Sequence, residues 1–111
     1  MANLLSLIKL RKHAVDEKQK VLAELYRQIE IIEQSKTTLI ERLRRERETL
    51  DKSGMLEMYA YFGRFSQNIQ RMLERLNAEK SKLEVRIQIA QDDVREAFAN
   101  VKRIEIVQKE R

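Results

Sequence analysis

The sequence contains no cysteine, no proline and no tryptophan, and only two glycines in 111 residues. Without cysteine there is no disulfide framework, no thiolate metal site and no thiol nucleophile, and an oxidising compartment gives the chain no advantage. With so little proline and glycine, the turn punctuation that sandwiches and barrels need about every ten residues is missing, as are the Gly-rich loops of a doubly wound sheet. Aromatic residues make up 5% of the chain, too few for a thick globular core. No apolar run approaches the roughly 18 residues of a transmembrane helix.

What remains is a narrow vocabulary. Ala, Glu, Lys, Leu and Arg account for 58 residues, the composition of long helices and of coiled coils above all. At 42% hydrophobic and 37% charged, the chain is too apolar for simple disorder. The expectation is an all-α protein of the cytoplasm.

A heptad repeat fits most of the sequence. Position a at Ile8, Val15, Leu22, Ile29, Lys36, Leu43 and Leu50 is apolar with one exception, and position d adds Leu4, Leu25, Ile32 and Leu39. Arg11, Lys18 and Glu46 interrupt at d. A second series places Phe62, Ile69, Leu76, Leu83, Ala90, Ala97 and Ile104 at d, with Leu73, Ile87, Val94 and Val101 at a. Persistence of a 3.5-residue period over this length predicts two coiled-coil helices. The phase is lost at Asp51-Lys52-Ser53-Gly54, where a Gly follows the periodic run as it does at helix C-termini.

So short a connection brings the second helix back beside the first, giving a long antiparallel two-helix coiled-coil hairpin as one unit over 1–111. Helix one is expected at about 3–51, the turn at about 52–56 and helix two at about 57–109. Pairing residues whose numbers sum to 112 sets each a of helix one against a d of helix two, as in Val15 with Ala97 and Leu50 with Phe62. In this register Arg11 meets Val101, Lys18 meets Val94 and Ile32 meets Lys80. Lysine and arginine at such layers are expected to lay their stems along the seam and carry their charges to water.

No catalytic residue emerges. A two-helix coiled coil has no interior in which convergent polar groups could be desolvated. His13 is the single histidine and falls at the outward f position, with no ligands at metal spacing. The carboxylate pairs Asp92-Asp93 and Glu30 with Glu33 point to solvent, where nothing raises a pKa. There is no phosphate-binding loop, and no cofactor is expected. The run from Glu41 to Glu48 reads as a solvated face of i,i+4 ion pairs, worth about 0.2 to 0.5 kcal/mol each.

Two regions stand out. Lys9, Arg11, Lys12, Lys18 and Lys20 lie opposite Lys102 and Arg103 in the hairpin register, a concentration of positive charge that suits an acidic partner. Near the turn, four of the six aromatics fall within seven residues as Tyr59, Tyr61, Phe62 and Phe65, more than a turn needs. Large apolar groups left over at a narrow tip mark a contact surface, or cap the seam.

The opening Leu7-Ile8-Lys9-Leu10-Arg11-Lys12-His13, followed by Val15-Asp16-Glu17-Lys18, resembles the start of FliJ-type flagellar export proteins, and Ala97-Phe98 with Val101 to Arg111 resembles their close. The resemblance implies a non-enzymatic stalk of the flagellar type III export apparatus, similar to injectisome stalk proteins and to the coiled-coil stalks of rotary ATPases. It implies as partners a hexameric export ATPase, an export gate protein and export chaperones, at the inner face of the cytoplasmic membrane. Carried onto this chain, the ATPase contacts are Lys9, Arg11, Lys12, Lys18, Lys20, Lys102 and Arg103, and the gate contacts Tyr61, Phe62 and Phe65.

Two other readings follow from the residues alone. A coiled-coil tether or oligomerisation module would bury its exposed seams between chains. A basic helical arm binding nucleic acid would draw on the net charge of +5, although opposite charges alternate along most of the chain and no aromatics interleave with a basic stripe.

Overall fold

The computed structural model describes residues 4–110. It holds two helices, α1 over Leu4–Ser53 and α2 over Leu56–Lys109, and no strand among the described residues. The protein is all-α, an antiparallel two-helix coiled-coil hairpin. The expected start of the first helix at residue 3 lies outside the described residues. The break between the helices is Gly54 and Met55 alone, narrower than the five residues expected for the turn.

The narrowness has a local cause. Gly54 adopts φ 62°, the left-handed conformation that closes many helices. Its N–H donates to the Leu50 carbonyl at 3.2 Å, and the Ser53 hydroxyl donates to the same oxygen at 3.0 Å. A Cβ on Gly54 would meet nothing within 4 Å, so glycine is required here by backbone conformation and not by space. Met58 N–H donates to the Met55 carbonyl at 3.1 Å, which starts α2 at once, and Glu57 in its first turn complements the helix dipole.

The chain divides into two compact units. The terminal unit holds residues 4–27 and 83–110 of the described chain, and the turn unit holds 28–82. In the terminal unit Ile8, Val15, Leu25, Leu83, Ala90, Ala97 and Val101 are buried, with Val15, Ala97 and Val101 forming one cluster. In the turn unit Ile32, Leu50 and Ile69 are buried, and Leu50 and Ile69 are each only 2% exposed. Every one of these positions is an a or a d of the heptads.

Contacts between the helices fix the register within each unit. In the terminal unit Lys12 Nζ lies 3.9 Å from Glu105 Oε1, and Gln91 Nε2 donates to the Tyr26 hydroxyl at 2.7 Å. In the turn unit the Arg42 guanidinium sits 5.5 Å from the Phe65 ring centroid, and Arg47 stands 5.5 Å from that of Phe62. Three of these pairs join flanking e to e or g to g, and Arg47 reaches from an e position to the d residue Phe62, all as a register summing to 112 requires.

The ammonium groups of Lys36 and Lys80 meet a counter-charge at the edge of the seam. Lys80 Nζ lies 2.7 Å and Lys36 Nζ 3.5 Å from the same Glu33 carboxylate oxygen, and both lysine side chains are at most about a third exposed. The e position next to the seam supplies the counter-charge, so the lysine stems stay along the interface while one carboxylate serves two ammonium groups.

Candidate functional site

Lys9, Arg11, Lys12, Lys18, Lys20, Lys102 and Arg103 are all exposed and all belong to the terminal unit. They are not equivalent. Lys12 reaches Glu105, Lys20 lies 3.3 Å from Glu17, and Arg103 donates to Glu96 at 3.3 Å and to Asn100 at 2.7 Å. These three spend part of their charge within the chain. Lys9, Arg11, Lys18 and Lys102 make no ion pair or hydrogen bond to any described residue.

Arg11 and Lys18 differ again, because their heptad position is a core one. Both are exposed where the neighbouring a and d residues Ile8, Val15 and Leu25 are buried. Between them lies Ala14, and on α2 the buried Ala97; with Asp93, Glu96 and Asn100 these residues line a groove of about 240 Å³. Small side chains at the floor, the long cations of α1 at one wall and Asp93 and Glu96 of α2 at the other leave an open notch in the helix pair.

On the other flank of the same unit, Lys12, Phe98, Lys102 and Glu105 line a wider groove of about 450 Å³. Phe98 contributes an exposed aromatic face there. His13 is exposed, with Nε2 3.8 Å from Glu17 Oε1. Among the described residues no group of three His, Asp or Glu side chains is placed to hold a metal ion.

The aromatic residues near Gly54 are in part tied up within the chain. Phe62 and Phe65 are half-buried beneath Arg47 and Arg42, whose cations face the negative ring surface. Tyr61 stacks on Phe65 with centroids 6.2 Å apart and planes inclined by 21°. The apolar surface left open near Gly54 belongs to Met55, Leu56, Tyr59 and Tyr61, and Leu56 is 86% exposed. Sequence reasoning singled out Tyr61 with the two phenylalanines and did not name Leu56 as a contact. Its signal was its place at the first helical residue after Gly54, where no residue of α1 stands opposite.

The acidic partners in the turn unit are held charged. Hydrogen bonding from Lys80 lowers the Glu33 pKa, and hydrogen bonding from Arg44 draws Glu41 down to about 2. Arg44 also pairs with Glu48. These groups form a stretch of matched charge along α1, in contrast to Lys9, Arg11, Lys18 and Lys102 of the terminal unit, which have no partner among the described residues.

Also passed over were Leu7, Leu10 and Val21, exposed apolar residues at the g and c positions of α1. The signal was present: the g positions Leu7, Ala14, Val21, Gln28 and Ser35 carry no charge, whereas g residues of a solvated two-helix coiled coil are usually Glu or Lys. No described helix is long and apolar enough to cross a membrane. No family model, no curated protein and no solved structure matches the chain.

Proposed function

We propose that this protein is a non-enzymatic stalk of the flagellar type III export apparatus, binding the hexameric export ATPase through its terminal unit and meeting the export gate through the apolar residues near Gly54. The observation that carries the reading is that Lys9, Arg11, Lys18 and Lys102 of the terminal unit make no ion pair or hydrogen bond to any described residue. A cation left without a partner costs a chain little at the surface, but it repels its neighbours and stabilises nothing until an anion arrives. The resemblance of residues 7–18 to FliJ-type proteins supplies the identity of the partner. Export chaperones are further partners under the same reading, at the inner face of the cytoplasmic membrane.

The test is the ATP hydrolysis rate of the export ATPase from the same organism, titrated with this protein at about 150 mM salt, where surface electrostatics are judged under physiological screening. Stimulation that saturates below one chain per ATPase subunit supports one stalk per ring. No stimulation together with no binding removes the reading.

A coiled-coil tether is the second reading, and Leu10, Val21, Ile31 and Ile40 favour it as exposed aliphatic side chains that chain association would bury. It requires self-association, with thermal stability that rises with concentration. A strictly monomeric species in equilibrium sedimentation removes it.

A further inference from the structure

We infer that the notch between Arg11 and Lys18 is a docking groove for an acidic amphipathic α-helix of a partner protein, packed against α1 as a third helix. The inference rests on the stalk reading in taking the terminal unit as the contact end, and it names the chemistry that the partner must present there.

The face concerned combines two kinds of residue in a fixed order. Leu7 and Leu10 precede Arg11, Ala14 lies midway between the two cations, and Val21 follows Lys18. Leu10 is 63% exposed and Val21 54%, so the apolar members are as available as the charged ones. The c, g and d positions occupied by these residues share one side of a helix, spanning about 100°. Such a stripe matches an apolar seam of a second helix.

The cations specify the sign of that helix. Arg11 and Lys18 are one heptad apart, about 10.5 Å along the axis at 1.5 Å per residue. Two carboxylates one heptad apart on a partner helix meet both. An aliphatic side chain between those carboxylates points at Ala14 and Ala97, where the groove of about 240 Å³ has room for it. On the α2 side Asp93 and Asn100, also one heptad apart, line the same groove, and Glu96 already accepts from Arg103. The partner helix therefore carries acids along the edge facing α1 and neutral or basic residues along the edge facing α2.

Charge argues against a second copy of this chain on the same face. A dimer through this face would bring together two chains that each carry a net charge of +5. Neither a phosphate backbone nor a lipid headgroup fills a floor of two alanines flanked by leucine and valine.

The experiment uses the full chain and two synthetic helical peptides that differ only at two positions one heptad apart, flanking a central Leu. One peptide carries Glu at both and the other carries Lys. Fluorescence anisotropy is expected to show saturable binding of the Glu peptide at least about tenfold tighter than the Lys peptide, a factor of the size that opposed charge pairs give. Arg11→Glu with Lys18→Glu should invert the preference while circular dichroism retains full helicity, and Arg11→Gln with Lys18→Gln should remove it. Equal affinity for both peptides, no saturable binding, or an unchanged preference in either double variant overturns the inference. So does self-association that Leu10→Glu abolishes, or binding of anionic lipid vesicles that equals that of the Glu peptide.

The same variants separate this inference from the stalk reading. If the Glu variant stops stimulating the export ATPase while no peptide binds, the helix groove is wrong and the stalk reading stands. If peptide preference inverts while the ATPase never responds to the wild-type chain, the groove stands and the stalk reading fails.

Discussion

Both units of the chain hold cations at or beside the core positions of the heptad, and they treat them in opposite ways. In the turn unit Lys36 and Lys80 converge on Glu33, and Arg42 and Arg47 cover aromatic rings. In the terminal unit Arg11 and Lys18 are exposed with no described partner. A seam position is expensive for a charge unless something satisfies it nearby. The turn unit satisfies these seam charges within the chain and so stabilises its own hairpin. The terminal unit forgoes two apolar layers, and its cations remain available for an outside partner.

The contrast can be broken from either side. The largest effect is expected in the turn unit, where Ile69→Ala should cost about 2 to 5 kcal/mol, as large-to-small changes at buried sites do; urea unfolding followed by circular dichroism measures it. Arg11→Leu and Lys18→Leu should have the opposite sign, each raising stability by about 1 kcal/mol through partial burial of the new side chain at a d position. A fall in stability on either substitution would show that the cations already have a role inside the hairpin.

Next in size is the effect of the Glu33 link. Glu33→Gln should lower the thermal midpoint, and acid should do the same to the wild type. The Glu33 and Glu41 pKa values are lowered in the folded protein, Glu41 to about 2, so their contribution is complete above the ordinary glutamate value of about 4.3 and disappears as pH falls through the folded values. The midpoint should therefore decline between about pH 5 and pH 2, and less steeply in Glu33→Gln. The smallest effect is expected from Arg42→Ala, about 0.5 to 1 kcal/mol for an exposed cation over a ring, with a change in the Phe65 ring resonances as the spectroscopic check.

Periodicity carried most of the fold. The residues that repeat every 3.5 positions are the ones buried, from Ile8 and Val15 to Ala97 and Val101, because burial of a stripe is what a two-helix seam is. The turn was legible from Gly54 because left-handed backbone favours glycine so strongly. Less legible were the pairings that flank the seam. Whether Lys80 goes to water or to Glu33, and whether Arg42 lies over Phe65, depends on side-chain rotamers across two helices, for which sequence spacing gives only reach. The hairpin register brought the basic candidates together, yet it could not tell Lys12, Lys20 and Arg103, which have partners, from Arg11 and Lys18, which have none among the described residues. The uncharged g positions from Leu7 to Ser35 are legible in the same heptad.

The turn at Gly54 also orders events in time. Pairs such as Leu50 and Phe62 close a short loop of chain, whereas Ile8 and Ile104 close nearly all of it, and the entropy of closure rises with that length. Folding should therefore start beside Gly54 and zip outward, with the rate set by formation of the first few layers, since local contacts form fastest. Replacing Gly54 by a branched residue such as Val would slow that first step, because the left-handed φ of 62° would have to be reached against a steric penalty before any layer could form.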